Sequence, residues 1–385
     1  MISMTLLALI YIAFISLGLP DAVLGSAWPV MSTDVSAPLW GAGLIQMTVS
    51  FGTVISSLNC ARLLRRFGTG KLTALSVLMT ALALLGFSVA GHYAFLVLLA
   101  VPLGLGAGAV DAALNNYVAL HCEPRHMSWL HCSWGVGTII GPVILAFFLR
   151  RGLSWSGGYV TIGVLQCLLS AVLFKALPMW KQSGAEEEEK RAKVLSLREV
   201  IAIPGAKDAM MTFLLYCGIE SIVILWASTF MVEARGVDEI QAASWGALYC
   251  IGITVGRGLS GFMTYRFSPK QMVYISAAVM VLGSLLLFVP VVPVMVAGLI
   301  VFGLGCAPVY PNMIQDTPLN FGAENSQAVI GAQMASAYVG TTCLPTIFGA
   351  LADALGYGIL PVFALVFSGL MTAAFIRLKK RVEIN

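Results

Sequence analysis

Long apolar runs follow one another along the chain and are separated by short polar segments. A helix of about 20 apolar residues crosses the hydrocarbon core of a bilayer, which is about 30 Å thick. These runs are too long and too uniformly apolar for barrel strands, so the pattern predicts an all-α membrane protein. We predict twelve membrane-spanning helices, at 4–31, 39–63, 71–91, 93–121, 127–149, 158–180, 206–232, 239–265, 270–291, 293–315, 326–352 and 357–377.

The composition of the chain is also that of a membrane protein. Hydrophobic residues make up 59% of the 385 residues and charged residues only 10%, whereas soluble proteins carry about 25% charged residues. Because so few charges cannot cover a water-exposed surface, much of this surface faces lipid. The first apolar run lacks a small-residue cleavage site after a short core, which favours a first spanning helix over a cleaved signal peptide.

Basic residues concentrate in alternate loops of the predicted helices. They are Arg62, Arg65, Arg66, Lys71, Arg125, Lys181, Lys190, Arg191, Lys193, Arg198, Lys207, Arg266, Lys270, Arg377, Lys379, Lys380 and Arg381. The opposite loops contain only Arg150, Arg151 and Arg235. Because Lys and Arg are enriched in cytoplasmic loops, we expect a multi-pass protein of the cell membrane with both termini in the cytoplasm.

A polar segment separates two halves of similar length. It contains the acidic run 186–189, which is followed by basic residues. A run of charges of this kind is usually solvated. We therefore predict an N-terminal six-helix bundle over 1–180, a cytoplasmic linker over 181–205, and a C-terminal six-helix bundle with a short cytoplasmic tail over 206–385.

The two halves repeat one another at an offset of about 200 residues. Matches in the same order indicate a duplicated structure, and transporters built from parallel repeats bind their solute between the halves at mid-depth. The repeat therefore predicts two pseudo-symmetric bundles. The matching pairs are Gly18 with Gly218, Arg66-Phe67 with Arg266-Phe267, Gly104-Leu105-Gly106 with Gly303-Leu304-Gly305, and Gly137 before Pro142 with Gly340 before Pro345.

Four charged residues lie well inside predicted spans: Asp21, Asp111, Glu220 and Arg257. A charge at the bilayer centre costs roughly 2.5–3.5 kcal/mol, so the four together oppose insertion by about 10 kcal/mol if they face lipid. We expect them to face a wet cavity, to pair with each other or to bind protons. The three acids are candidate proton-coupling residues, although Asp21 also suits a broken helix end and Asp111 a buried hydrogen-bond network.

Polar and aromatic side chains inside the spans are candidates for binding a solute. They are Gln46, Asn115, Asn116, His131, Trp134, Tyr216, Trp226, Arg257, Asn312 and Gln333. Asn115 lies one turn after Asp111 on the same helix face, so this acid and amide together suit a proton and a hydroxyl group. Such polar stripes also arise from helix packing, and Arg257 is suited equally to an ion pair with Glu220 or to anchoring a solute.

Three of these residues have specific alternatives. His131 has the chemistry of a group that titrates near neutral pH, or of a structural histidine near a helix end. Trp134 suits stacking on a sugar ring or filling the core. Asn116 is rotated by about 100° from Asn115 and suits a bridge between helices.

The loop after the second span carries a motif. It is similar to the signature of the major facilitator superfamily, which has a Gly, then Asp-Arg, then a Gly with basic residues. Ala61 stands at the first Gly, Arg65 at the Asp, Arg66 at the Arg and Gly68 at the second Gly. The whole chain resembles a transporter of that superfamily, but the missing acid argues against a cytoplasmic lock built on that carboxylate.

Within the superfamily the chain most resembles the fucose:proton symporter-like group. The matching features are Asp21 in GLPD, Asp111 in DAALNNY, Glu220 in YCGIE, and APVYP in span 10. The resemblance implies a secondary transporter that takes up a sugar or a related hydroxylated solute with a proton.

Proton-driven multidrug efflux is the main alternative. The GxxxGP stretch from Gly137 to Pro142 is similar to an antiporter signature in the same span. The following Gly-Gly of that signature is absent, because Leu145 and Ala146 stand there.

Other classes find no support in the sequence. It has no phosphate-binding GxxxxGK[ST] loop, no HExxH or GxSxG motif and no CxxC pair, so we expect neither an enzyme nor a metal or other cofactor. The net charge of +4 reflects loop placement and not nucleic-acid binding. We expect a monomer whose partners are a small-molecule solute, protons and the lipid bilayer.

Overall fold

The computed structural model describes residues 3–38, 40–182 and 193–383, which are almost entirely helical and contain no strand. A short 3₁₀ helix, Tyr357–Ile359, precedes the last α-helix. The α-helices in chain order are α1 (Met4–Asp21), α2 (Val23–Asp34), α3 (Gly41–Ser88), α4 (Tyr93–His121), α5 (Pro124–Arg150), α6 (Ser156–Lys175), α7 (Leu177–Gln182), α8 (Leu197–Ala202), α9 (Ala206–Arg235), α10 (Glu239–Met263), α11 (Pro269–Phe288), α12 (Val292–Cys306), α13 (Val309–Phe321), α14 (Ala323–Leu355) and α15 (Leu360–Glu383).

Ten segments of the described chain are long and apolar enough to cross a membrane. This confirms an all-α protein with multiple membrane-spanning helices, and the count of twelve stays a prediction. The segments are Met4–Asp34, Gly41–Ser88, Tyr93–His121, Pro124–Arg150, Ser156–Lys175, Ala206–Arg235, Pro269–Phe288, Val292–Phe321, Ala323–Leu355 and Tyr357–Glu383.

Helix α3 contains two helices that meet at one residue. Its 48 residues would reach about 72 Å at a rise of 1.5 Å per residue, more than twice the hydrocarbon thickness. The break is at Gly68, where φ is 73° and ψ is 159°. Glycine populates positive φ readily, so the predicted loop over 64–70 shrinks to a sharp turn at this residue.

The first predicted span, 4–31, is interrupted. Helix α1 ends at Asp21 and α2 begins at Val23, because Pro20 has no backbone N–H and its ring displaces the carbonyl four residues earlier. That carbonyl belongs to Ser16 and accepts a hydrogen bond of 2.7 Å from Nε2 of Gln166 on α6. Asp21 is therefore the last residue of a helix, with open space beside it.

Two predicted spans end too early. The predicted span 293–315 is divided at Ala307 and Pro308 into α12 and α13, and α13 continues to Phe321. Helix α15 continues to Glu383, so the predicted cytoplasmic tail after residue 377 is helical as far as the structure describes it. Both extensions carry charged residues that pair with one another.

The chain forms two compact units. Unit 1 comprises Met1–Cys122, Leu130–Val194 and Ala323–Gly331, and unit 2 comprises Glu123–Trp129, Leu195–Gly322 and Ala332–Asn385. The division into bundles over 1–180 and 206–385 stays a prediction. Residues 183–192 of the predicted linker lie outside the described residues.

Close helix crossings in unit 1 depend on two glycines of the sequence repeat. A Cβ on Gly18 of α1 would overlap the carbonyl oxygen of Trp134 on α5. A Cβ on Gly137 of α5 would overlap the carbonyl oxygen of Ile15. The two helices therefore touch backbone to backbone, the arrangement that small residues permit in membranes.

The matching glycines of unit 2 make an equivalent crossing. A Cβ on Gly218 of α9 would overlap the side chain of Leu344 on α14, and one on Gly340 of α14 would overlap the carbonyl oxygen of Leu214. The pairs of glycines identified in the sequence therefore mark corresponding helix contacts inside each unit.

Candidate functional site

The first candidate acid of unit 1 is bonded to an indole. Trp134 on α5 donates its Nε1–H to Oδ2 of Asp21 over 2.7 Å. The Gly18 crossing brings α5 close enough for this contact. Asp21 remains exposed to open space and lines a small cavity together with Gln46 of α3. Asp21 thus has Trp134 as its hydrogen-bond donor and shares a cavity wall with Gln46.

The second acid of unit 1 begins a buried chain of hydrogen bonds. Nδ2 of Asn115 donates to Oδ1 of Asp111 over 2.8 Å and to its main-chain oxygen over 3.0 Å. Oδ1 of Asn115 lies 3.0 Å from Nε2 of His131. Because the amide nitrogen points at the carboxylate, its oxygen accepts, and Nε2 of His131 carries the donated proton. One amide therefore connects two titratable groups, Asp111 and His131.

Asn116 forms a contact of its own in unit 1. Its Oδ1 accepts a hydrogen bond of 2.9 Å from the Ser326 hydroxyl. The residue is buried and belongs to α4, whereas Ser326 belongs to the first turns of α14. This is the helix-bridging contact that was the alternative to solute binding.

The acid of unit 2 is paired with a cation. Oε1 of Glu220 lies 3.3 Å from Nη2 of Arg257, and Arg257 is only 4% exposed. Tyr216, one turn before Glu220, is fully buried. The hydroxyl of Tyr249 donates to the main-chain oxygen of Glu220 over 3.5 Å. Adjacent spans thus supply an ion pair, as the sequence suggested, inside a closely packed aromatic shell.

Three other residues of unit 2 that were predicted to bind a solute form hydrogen bonds with other groups of the protein. Trp226 donates its Nε1–H to the Pro345 carbonyl over 3.0 Å. Nδ2 of Asn312 donates to the Pro308 carbonyl over 2.7 Å. Oε1 of Gln333 accepts from the Thr317 hydroxyl over 3.0 Å. The contacts of Trp226 and Gln333 join two helices, whereas that of Asn312 stays within the first turn of α13.

Sequence reasoning missed a second buried ion pair in unit 2. Nζ of Lys379 on α15 contacts Oδ2 of Asp316 on α13 and donates to Oδ1 of Asn320 over 2.8 Å. Both charged side chains are buried. Asp208 on α9 likewise pairs with Arg381, at 2.9 Å. The signal that could have found them is a pair of opposite charges just beyond the ends of two apolar runs.

Sequence reasoning also missed two residues of unit 1 that line the cavity beside Asp21. They are Tyr159 and Gln166 of α6. Gln166 accepts a hydrogen bond of 2.9 Å from the Thr80 hydroxyl. The signal was a buried polar residue inside an apolar span, the same signal that identified Asp111.

Ten candidate membrane-spanning segments, with acids inside several of the predicted spans, are typical of a polytopic membrane transporter. The profile of the Major Facilitator Superfamily matches residues 10–264 and 209–384. The chain belongs to this superfamily, and it is a transporter and not an enzyme. The predicted family is therefore confirmed.

Three comparisons illustrate its relationships. The chain is 23% identical to Bypass of stop codon protein 6 of Saccharomyces cerevisiae, over 94% of this chain and 80% of that protein. It is similar in structure to FucP, the fucose:proton symporter of E. coli, in the outward conformation, with a TM-score of 0.77, 16% identity and coverage of 98% and 99% of the two chains. The proton:xylose symporter XylE gives a TM-score of 0.78 at 13% identity, over 98% and 95%. At these identities the structural likenesses show the fold alone.

Proposed function

We propose that this transporter couples proton entry to the uptake of a sugar or a similar small polar solute by alternating access. The observation that carries the proposal is the buried chain of Asp111, Asn115 and His131. Two titratable groups inside predicted spans share one amide, so a change of protonation at either end reaches a group that can bind a hydroxyl. The solute class rests on the family resemblance and on the fucose and xylose symporters that share the fold.

Protonation of Asp111 changes the strength of this chain. An ionised carboxylate holds the Asn115 amide by a charge-assisted hydrogen bond, which is roughly twice as strong as a neutral one. Once Asp111 is neutral, the amide is held less tightly and is available to a solute hydroxyl. Proton binding at Asp111 therefore favours solute binding and, by reciprocity, solute binding favours proton binding, which is the coupling that a symporter uses.

Asp21 is the second proposed proton site. Its partner, Trp134, is a neutral donor, so protonation leaves no unpaired cation behind. A charged side chain at the bilayer centre costs roughly 2.5–3.5 kcal/mol, and neutralising Asp21 removes most of that cost when the site closes. Glu220 retains its predicted proton role only as an alternative, because Arg257 pairs with it.

We extend the proposal to topology, with twelve spans and both termini in the cytoplasm. The asymmetric distribution of Lys and Arg between alternate loops supports this orientation. A reporter fused to the C-terminus tests it: activity of a reporter that works only in the cytoplasm is expected, and activity of one that works only outside would contradict it.

Uptake into proteoliposomes tests the function. Labelled fucose or xylose is expected to accumulate under an inward proton gradient and to leak out when a protonophore collapses it. Asp111→Asn keeps the shape of the side chain, so we expect loss of gradient-driven accumulation with solute exchange retained. The matched control is Asp353→Asn, which alters an exposed acid of α14.

Two outcomes would contradict the proposal. Unchanged accumulation in both Asp111→Asn and Asp21→Asn would remove these acids from coupling. Loss of a preloaded dye under the gradient, without sugar accumulation, would favour drug efflux instead.

A further inference from the structure

A small cavity lies within unit 1, beside Asp21 and between the helices that surround it. Its volume is about 40 Å³, which is room for about three water molecules. Its wall is mostly apolar but includes Asp21, Gln46, Thr80, Tyr159 and Gln166. A purely apolar cavity stays dry, whereas one with several polar groups holds water. Because five polar residues line this cavity, we expect it to hold water.

Tyr159 is fixed at the wall by its aromatic neighbours. Its ring stacks on Phe87 with centroids 5.7 Å apart and meets the edge of Trp155 at 5.6 Å. Trp155 is itself held by a hydrogen bond of 2.7 Å from its Nε1–H to Oδ2 of Asp34. The ring therefore has little freedom to turn its hydroxyl elsewhere.

The hydroxyl of Tyr159 needs a partner that the protein does not supply. Tyr159 is only 2% exposed, and its hydroxyl forms no hydrogen bond to any described residue. Leaving a buried hydroxyl unsatisfied costs about 1–3 kcal/mol, and buried groups of this kind are normally paired with protein or with ordered water. A ligand with hydroxyl chemistry in the cavity provides the missing bond.

Other polar residues that line the cavity supply further hydrogen-bond partners for a bound water. A buried water needs two to four polar partners. Asp21 supplies a carboxylate, one oxygen of which is used by Trp134, and Gln46 supplies an amide on the same wall. Residues that carry an acceptor, an amide and a phenol thus line a space of the size of a few waters.

We propose that this cavity is a hydroxyl-binding site in which water bridges Tyr159 to Asp21, and that it delivers the coupling proton to Asp21. The second part rests on the proposed function. Along the water chain each transfer forms one O–H bond and breaks another. A hydronium ion of the outer solution gives its proton to the first water and is left as water, so the net step adds one proton to the Asp21 carboxylate and leaves the waters of the chain neutral. A hydroxyl group of the bound solute has the same chemistry and is the other source of the ligand.

Hydroxyl-radical footprinting by X-ray pulses of the purified full-length protein tests the site directly, because radicals form from water held next to a side chain. Tyr159 is expected to be labelled several-fold faster than Tyr249. Tyr249 is the internal control, since it is 0% exposed and its hydroxyl bonds to the Glu220 carbonyl. Labelling of Tyr159 no faster than Tyr249 would overturn the proposal.

The same experiment with saturating fucose separates the two sources. In a preparation that takes up fucose in proteoliposomes, unchanged labelling of Tyr159 identifies water as the occupant in the loaded transporter. Protection of Tyr159 identifies a hydroxyl of the sugar. Each result supports a hydroxyl-binding site and names its occupant.

Tyr159→Phe tests the delivery of the proton. It preserves the stack on Phe87 and removes only the hydroxyl, so we expect several-fold slower gradient-driven uptake with unchanged exchange of solute. The control is Tyr265→Phe, at a side chain that is 66% exposed. Unchanged driven uptake in Tyr159→Phe would refute proton delivery through this cavity. Labelled Tyr159 in a protein without any proton-driven uptake would instead refute the proposed function and leave the water site standing.

Discussion

The two units treat their membrane-embedded acids differently. In unit 1, Asp21 accepts from the indole of Trp134 and Asp111 from the amide of Asn115. In unit 2, Glu220 pairs with the guanidinium of Arg257. Trp134 and Asn115 are neutral donors, whereas Arg257 is a permanent cation.

This difference has a physical consequence. A proton added to a buried ion pair leaves its cation uncompensated, which costs several kcal/mol. A proton added to an acid with a neutral donor weakens one hydrogen bond and removes a charge. The acids of unit 1 can therefore change charge during transport at low cost, whereas Glu220 and Arg257 are suited to remain charged.

The repeat explains why similar helices carry different chemistry. Gly18 and Gly218 make corresponding crossings in the two units. On the offset that aligns them, Glu220 corresponds to Pro20 and Asp21 to Ser221. A shift of one residue is a rotation of about 100° around a helix, so Asp21 and Glu220 occupy different faces of corresponding helices. The repeat thus preserves the glycine crossings but not the position of the acid.

The largest expected effect on stability comes from breaking the ion pair between Glu220 and Arg257 in unit 2. Arg257→Met removes the cation and leaves Glu220 charged with a side chain only 12% exposed, which is expected to lower the free energy of unfolding by roughly 3–5 kcal/mol. Thermal unfolding in detergent measures it. The double variant Arg257→Met with Glu220→Gln is expected to regain most of the loss, because neither remaining side chain carries a charge.

An unchanged unfolding temperature in Arg257→Met, together with lost uptake, would contradict the interpretation that Arg257 stabilises unit 2 by pairing with Glu220. It would show that Arg257 binds the solute and that its contact with Glu220 contributes little stability.

A smaller effect is expected at the first acid of unit 1. Trp134→Phe removes the donor to Asp21, but the carboxylate is exposed to open space and can bond to water. We expect the free energy of unfolding to fall by about 1 kcal/mol, with no recovery on adding Asp21→Asn. If Asp21→Asn restored the stability lost in Trp134→Phe, Asp21 would depend on its partner in the same way as Glu220, and the difference between the two units would be contradicted.

Much of this contrast could be predicted from the sequence, but not all of it. The spacing of four between Asp111 and Asn115 placed them on one helix face, and adjacent spans suggested the pair of Glu220 and Arg257. Both inferences need only local geometry and neighbouring helices. The contacts made from α5, Trp134 with Asp21 and His131 with Asn115, required the actual helix crossing.

Two features were hidden for physical reasons. The Ser16 carbonyl released by Pro20 is bonded by Gln166, which lies 150 residues away, and no local pattern specifies such a partner. Asp316 and Lys379 were placed outside the membrane because each charge shortened its own apolar run. Their pairing in unit 2 lets both helices continue, so hydropathy underestimates helix length where opposite charges meet.

The smallest effect on stability is expected at His131. Gln has an amide that can still donate to Oδ1 of Asn115, so His131→Gln is expected to change the free energy of unfolding by less than about 1 kcal/mol. Gln does not titrate near neutral pH, so gradient-driven uptake should fall while exchange of solute persists. Unfolding and uptake measured on the same preparation separate these effects. A loss of stability as large as that of Arg257→Met would mean that His131 acts as a fixed cation, and unit 1 would then hold its acid in the same way as unit 2.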